Sequence, residues 1–148
     1  MNPAVPARVS VPDSVPRGPG LSPTLHETAA ALAEALFSTV DGPAPGHRVA
    51  WLCDELDHFI AYAGPRARLN LWLCLTGVSV LAPLMVGRPW GFSAMPLALR
   101  REAVERLERS PLGLAVFGAK AMLCIVWYEH PENAAFIGAD GLCLRRRS

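Results

Sequence analysis

A chain of 148 residues is long enough for one domain of ordinary size, which argues against an enzyme with separate cofactor and substrate lobes. Hydrophobic residues make up 51% and charged residues 18%, against about 25% charged in an average soluble domain, so the chain is apolar-rich. Fourteen basic and thirteen acidic residues leave a net charge of +1, without the basic surplus that nucleic-acid binding requires.

The first twenty-one residues carry prolines at 3, 6, 12, 16 and 19 among Val, Ala, Ser and Gly. Such a segment can neither sustain helical hydrogen bonding nor build a core, so residues 1–21 read as a disordered tail or an arm draped along a partner. It has no continuous apolar stretch and no twin arginine, so it does not read as a secretory signal, and export would depend on a partner's signal. Order is expected from Ser22, a helix cap followed by Pro23 at the first helical position, with Thr24 and Glu27 as an overlapping capping box. Leu25, Ala29, Leu32, Ala33, Leu36 and Phe37 then recur at helical spacing, which predicts a helix to about Thr39. Asp41 to His47 is a turn by composition, and Val49, Leu52, Leu56, Phe59 and Ile60 predict a second amphipathic helix. Between Leu21 and Tyr62 six acids face Arg48 alone, giving this hairpin an acidic surface.

Gly64 and Pro65 break the chain, and residues 69–87 that follow contain no charge. The run is just long enough to span a bilayer. Asn70, Thr76, Gly77, Ser79 and Pro83, with Arg66, Arg68 and Arg88 at both ends, favour instead a central helix buried on all sides, kinked or ended at Pro83. After a loop holding Trp90 and Phe92, Pro96 opens a helix with Leu97, Leu99, Val104 and Leu107 on its core face. Its outer face carries Glu102 with Arg106 and Glu105 with Arg109, each pair four residues apart in the favourable order. Ser110 and Pro111 precede a last apolar helix that Pro131 ends, and residues 131–141 read as a loop. No segment alternates as a strand would. The fold expected is an all-α compact bundle of about five helices over residues 22–148.

Candidates for chemistry are few. Cys53, Cys74, Cys124 and Cys143 stand far apart, with no C-x-x-C pair, and read as small hydrophobes. His26 and His47 are expected to be exposed. His58 sits near Asp54 and Glu55, a set that could hold a metal but reads more simply as a solvated face. His130 lies at a helix C-terminus, where the dipole would stabilise its protonated form, although a capping contact is the simpler role. No G-x-S-x-G, H-E-x-x-H, G-x-x-x-x-G-K-[ST] or G-x-G-x-x-G occurs, so no catalytic, metal or cofactor-binding residue is assigned. Aromatics near the loops point collectively to a partner, and Trp90, Phe92, Trp127, Tyr128 and His130 are the expected contact positions.

The order of features resembles the small helical subunit of flavin-dependent dehydrogenases, the gluconate 2-dehydrogenase subunit 3 family. It is also similar to the helical segment preceding the flavin domain in long-chain alcohol oxidases of the glucose-methanol-choline class. The match begins at Leu21-Ser22-Pro23, continues through Glu27 to Leu36 and includes the Gly42-Pro43-Ala44 turn. Its later half runs through Gly91-Phe92-Ser93, Arg100 to Val104, Ser110, Trp127-Tyr128, Ile137-Gly138 and Asp140-Gly141. The resemblance covers roughly residues 21–143. Two departures are the missing twin-arginine signal and a chain that stops where the fused oxidases enter their flavin domain. The resemblance implies a free-standing, non-catalytic accessory subunit packed on a flavin-dependent large subunit that holds the FAD and acts on an alcohol, sugar or lipid-like substrate. Its expected place is the cytoplasm or the periphery of the cytoplasmic membrane. The alternative is a small membrane-associated protein with a single span at 69–87.

Overall fold

The structure, a computed structural model, describes residues 17–89 and 91–136. Six α-helices and one short 3-10 turn account for it: α1 (Pro23–Phe37), α2 (Gly46–Tyr62), α3 (Pro65–Met85), the turn Phe92–Ala94, α4 (Leu97–Glu108), α5 (Leu114–Tyr128) and α6 (Pro131–Phe136). The fold is an all-α bundle, and the described residues form no strand beyond one isolated bridge between Thr39 and Gly42.

Helix starts follow the local chemistry. Ser22 caps α1 by accepting from the Leu25 N–H, with Pro23 at the first turn. α1 closes at Phe37, two residues earlier than its apolar spacing predicts. Ser38 turns to extended backbone, its hydroxyl donates to the Glu34 carbonyl and it accepts the Ala44 N–H across the turn. α2 begins three residues before Val49, at Gly46, and α3 begins at Pro65 rather than at the first uncharged residue, because a proline at the first position has no N–H to satisfy. Residues expected to loop after Pro131 instead make the short helix α6. Pro131 suits a helix start, and Glu132 places a carboxylate in the first turn.

Residues 17–21 drape along the chain's own surface. The Gly18 N–H donates to the Ala61 carbonyl at 2.7 Å, and the Leu21 N–H donates to Asp57 Oδ1 at 2.7 Å. The rest of the Pro-rich tail, residues 1–16, lies outside the described residues.

Leu32, Leu52, Leu56, Leu75, Leu107 and Leu123 form the fully buried centre. Arg100 of α4 donates to the Ala31 carbonyl at 3.0 Å and pairs with Glu34 at 2.8 Å, which binds α4 to α1. Phe92 is the largest fully buried side chain, at 0% exposure, and its turn packs between α1 and α3. The Phe92→Ala variant is expected to lose roughly 3–5 kcal/mol, the range for deleting a buried aromatic ring, read as a lower urea midpoint with unchanged slope.

Candidate docking surface

Helix α3 does not occupy the centre of the bundle with neighbours all round. Leu71, Leu75, Val78 and Ala82 recur at i, i+4, i+7 and i+11 and are buried against the other helices. The opposite stripe, Leu69, Trp72, Leu73, Val80 and Leu84, is half or more exposed throughout, Trp72 being the lowest at 50%. Four other long helices and the short α6 cannot ring α3, so an all-apolar helix in a domain of this size keeps one side outside.

Helix α5 repeats the arrangement. Val116, Ala119, Leu123, Val126 and Trp127 face inward, whereas Leu114, Phe117, Ile125 and Tyr128 face outward, with Leu114 at 78%, Phe117 at 69% and Tyr128 at 67% exposure. The two helices run antiparallel and meet through small residues. A Cβ on Gly77 would come within 2.9 Å of the Ala115 methyl, and one on Gly118 within 2.6 Å of Cys74 Sγ. Both outward stripes are therefore parts of one apolar face, and neither stripe holds a charged residue. Arg66 and Arg88 are exposed near the two ends of α3. Among the described residues α3 is the one helix long and apolar enough to cross a membrane, and 28% of its most apolar window is buried.

A second feature closes the end of the bundle where α5 stops. Trp127 stacks on Phe37 with ring centroids 4.2 Å apart and planes 2° from parallel, and the Arg48 guanidinium lies 4.1 Å from the Trp127 ring. The Trp127 carbonyl, in the last turn of α5, accepts from Arg48 at 3.2 Å and from Asn133 Nδ2 at 2.7 Å besides the His130 N–H at 3.4 Å. Arg48 Nε lies 3.8 Å from Glu132 and, though buried, makes no hydrogen bond. Glu132 also approaches His47 at 3.4 Å. His130 meets the edge of Trp51 at 4.6 Å, and its Nδ1 accepts the Glu132 N–H at 3.2 Å. That bond places the ring proton on Nε2 and favours the neutral imidazole, so the 3.8 Å approach of Nδ1 to the Glu132 carboxylate is not a hydrogen bond.

Of the two roles a helix C-terminus offers His130, the protonated one is disfavoured and a backbone contact is made, to the first turn of α6. Burial, with Arg48 and His47 beside it, holds its pKa below the ordinary 6.5, and the upward pull of Glu132 does not compensate. Elsewhere, burial and the neighbouring Asp54 and Glu34 push the Cys53 thiol up to about 11, so it stays protonated at neutral pH. Cys53, Cys74 and Cys124 are free thiols. His58 packs against Tyr62 at 4.9 Å, and among the described residues no three His, Cys, Asp or Glu are placed to hold a metal.

Of the five expected contact positions, Trp127 and His130 are brought together in the Arg48 cluster, with Tyr128 beside them on the outward stripe of α5. Phe92 and Trp127 are buried inside the chain, and Trp90 lies outside the described residues. The loop position of Phe92 suggested a surface; the 3-10 turn folds its ring inward instead. Sequence reasoning missed Arg48 and the stripes of α3 and α5. The stripes had no periodic signal, since both helices carry apolar residues on inward and outward faces alike.

No family model, curated protein or solved structure matches the chain.

Because the folded His130 binds its proton less tightly than the unfolded one, the unfolded state takes up more protons just below pH 6.5. The His130 contribution to stability is therefore complete above 6.5 and is lost as the pH falls through the lower folded value. Urea melts across this range are expected to show stability falling with acidity, and the His130→Gln variant to show a shallower fall.

Proposed function

We propose that this chain is a non-catalytic accessory subunit that packs on and stabilises a flavin-dependent dehydrogenase or oxidase acting on an alcohol, sugar or lipid-like substrate, with the FAD in the partner. The observation that carries this reading is the apolar face of α3 and α5. Large side chains without a charge among them gain from leaving water at about 25 cal/mol per Å², and a stable subunit interface supplies that burial. A free-standing domain gains nothing by keeping Trp72, Leu114 and Phe117 in solvent. The flavoprotein identity of the partner rests on the resemblance carried by residues 21–143. The complex would work in the cytoplasm or at the periphery of the cytoplasmic membrane.

The length and apolarity of α3 favour a second reading, membrane association. Here the packing of α3 matters. Its other face holds α1, α4 and α5, and the charged Arg106 of α4 donates to the Met85 carbonyl at its end. Spanning the bilayer would strip these contacts or carry charged α4 into hydrocarbon, so an association that keeps the bundle intact lies in the membrane surface.

Mild affinity purification from native cells tests the assignment. A companion of flavoenzyme size with flavin absorbance is expected. The double variant Trp72→Asp, Phe117→Asp should retain its helical content and lose the companion, because a carboxylate in each stripe must be desolvated on docking. A colourless chain that is released only by detergent would overturn the subunit reading in favour of the membrane one.

A further inference from the structure

Beside the start of α3, at one end of the apolar face, the structure holds a cavity of about 320 Å³. That is the lower end of the size of small-molecule sites, about 300–1,000 Å³. Its apolar wall is Leu21, Leu25, Ile60, Leu69 and Trp72, contributed by the strap before α1 and by three helices. Its one charged lining residue is Arg68.

The setting of Arg68 is unusual for a cation. Its side chain is partly buried, and its guanidinium lies against the backbone of Gly18, where a Cβ would come within 1.7 Å of Arg68 Nη1. The strap is fixed independently by the Gly18 N–H on the Ala61 carbonyl and by the Leu21 N–H on Asp57. Asp57, the acid in this neighbourhood, is thus engaged by the strap amide and packs against Gly20. Among the described residues Arg68 has no salt-bridge partner, whereas Arg48, Arg100, Arg106 and Arg109 each have one. A guanidinium without a carboxylate partner keeps its hydrogen-bonding demand, and a cation lining an otherwise apolar cavity selects an anion with an apolar body.

We propose that this cavity binds a single acyl chain with an anionic head, the chain lying among Leu25, Ile60 and Trp72 and the head on Arg68. The same chemistry is offered by a free fatty acid and by an acidic phospholipid. This site stands apart from the subunit reading, since it needs no protein partner.

Calorimetric titration of the purified full chain with dodecanoate, below its micellar concentration, is expected to give saturable one-to-one binding. Uncharged dodecanol, and dodecanoate with the Arg68→Gln variant, should bind about tenfold more weakly or less, as expected when charge-assisted hydrogen bonds are lost. Arg88→Gln removes an exposed arginine near the other end of α3 and should leave the affinity unchanged. Should the occupant be a membrane lipid, the Arg68-dependent binding will be seen with phosphatidylglycerol vesicles and not with phosphatidylcholine vesicles. Equal binding of dodecanoate and dodecanol overturns the proposal, because it marks partition onto the apolar face. So does an Arg68→Gln variant no weaker than Arg88→Gln, or failure to bind both dodecanoate and the acidic vesicles.

Discussion

The close antiparallel approach of α3 and α5 is the constraint on which the rest of the bundle depends. Gly77 against Ala115 and Gly118 against Cys74 let the two backbones come nearer than larger residues would permit. That approach settles which side of each helix is inward. Once Leu75, Val78, Leu123 and Val116 are committed to the core, the remaining apolar residues of both helices must point the other way. An exposed hydrophobic surface is therefore a geometric consequence of packing two helices that are apolar all round in a domain too small to enclose either.

Polar ties at the margins hold this arrangement in register. Arg100 joins α4 to α1 through a carbonyl and a carboxylate, Lys120 pairs with Glu108 at 2.7 Å between α5 and α4, and Arg48 clamps the end of α5 to α2. The first and last of these have mostly buried side chains, where truncating one partner leaves an uncompensated polar group; the exposed lysine pair contributes far less. Arg48 combines three roles in one side chain: it covers the Trp127 ring, satisfies the carbonyl at the end of α5 and stands near Glu132. His130 is kept neutral by the same crowding that makes this cluster compact.

Charge and apolarity are segregated across the molecule. The acids of α1 and α2, among them Glu27, Asp54 and Asp57, belong to the first hairpin, whereas the outward stripes of α3 and α5 have no charge. Such a division suits a protein that is wetted on one side and covered on another. It is the physical content of the accessory-subunit proposal. Arg68 sits where the covered side meets the strap, which is why a cavity there combines an apolar wall with a cation.

Much of the fold was legible locally. Ser22-Pro23 and Pro96 mark where α1 and α4 begin, because a cap or a missing N–H acts within one turn of chain, and the apolar periods of α1, α2 and α4 identify their core faces, whereas Pro65 and Pro131 read as breaks and proved to open α3 and α6. The same local rules left the surface undetermined. In α3 and α5 every face is apolar, so periodicity carries no information about burial, and Leu75 and Trp72 read alike until neighbours are in place. Phe92 looked like a loop residue and is core; Tyr128, one position from buried Trp127, is surface. The sequence by itself determined an all-α chain, the starts of α1 and α4 and its acidic first hairpin. Only the tertiary structure decided which apolar residues remain in water and which arginines lack a partner, because both depend on contacts between segments far apart in the chain.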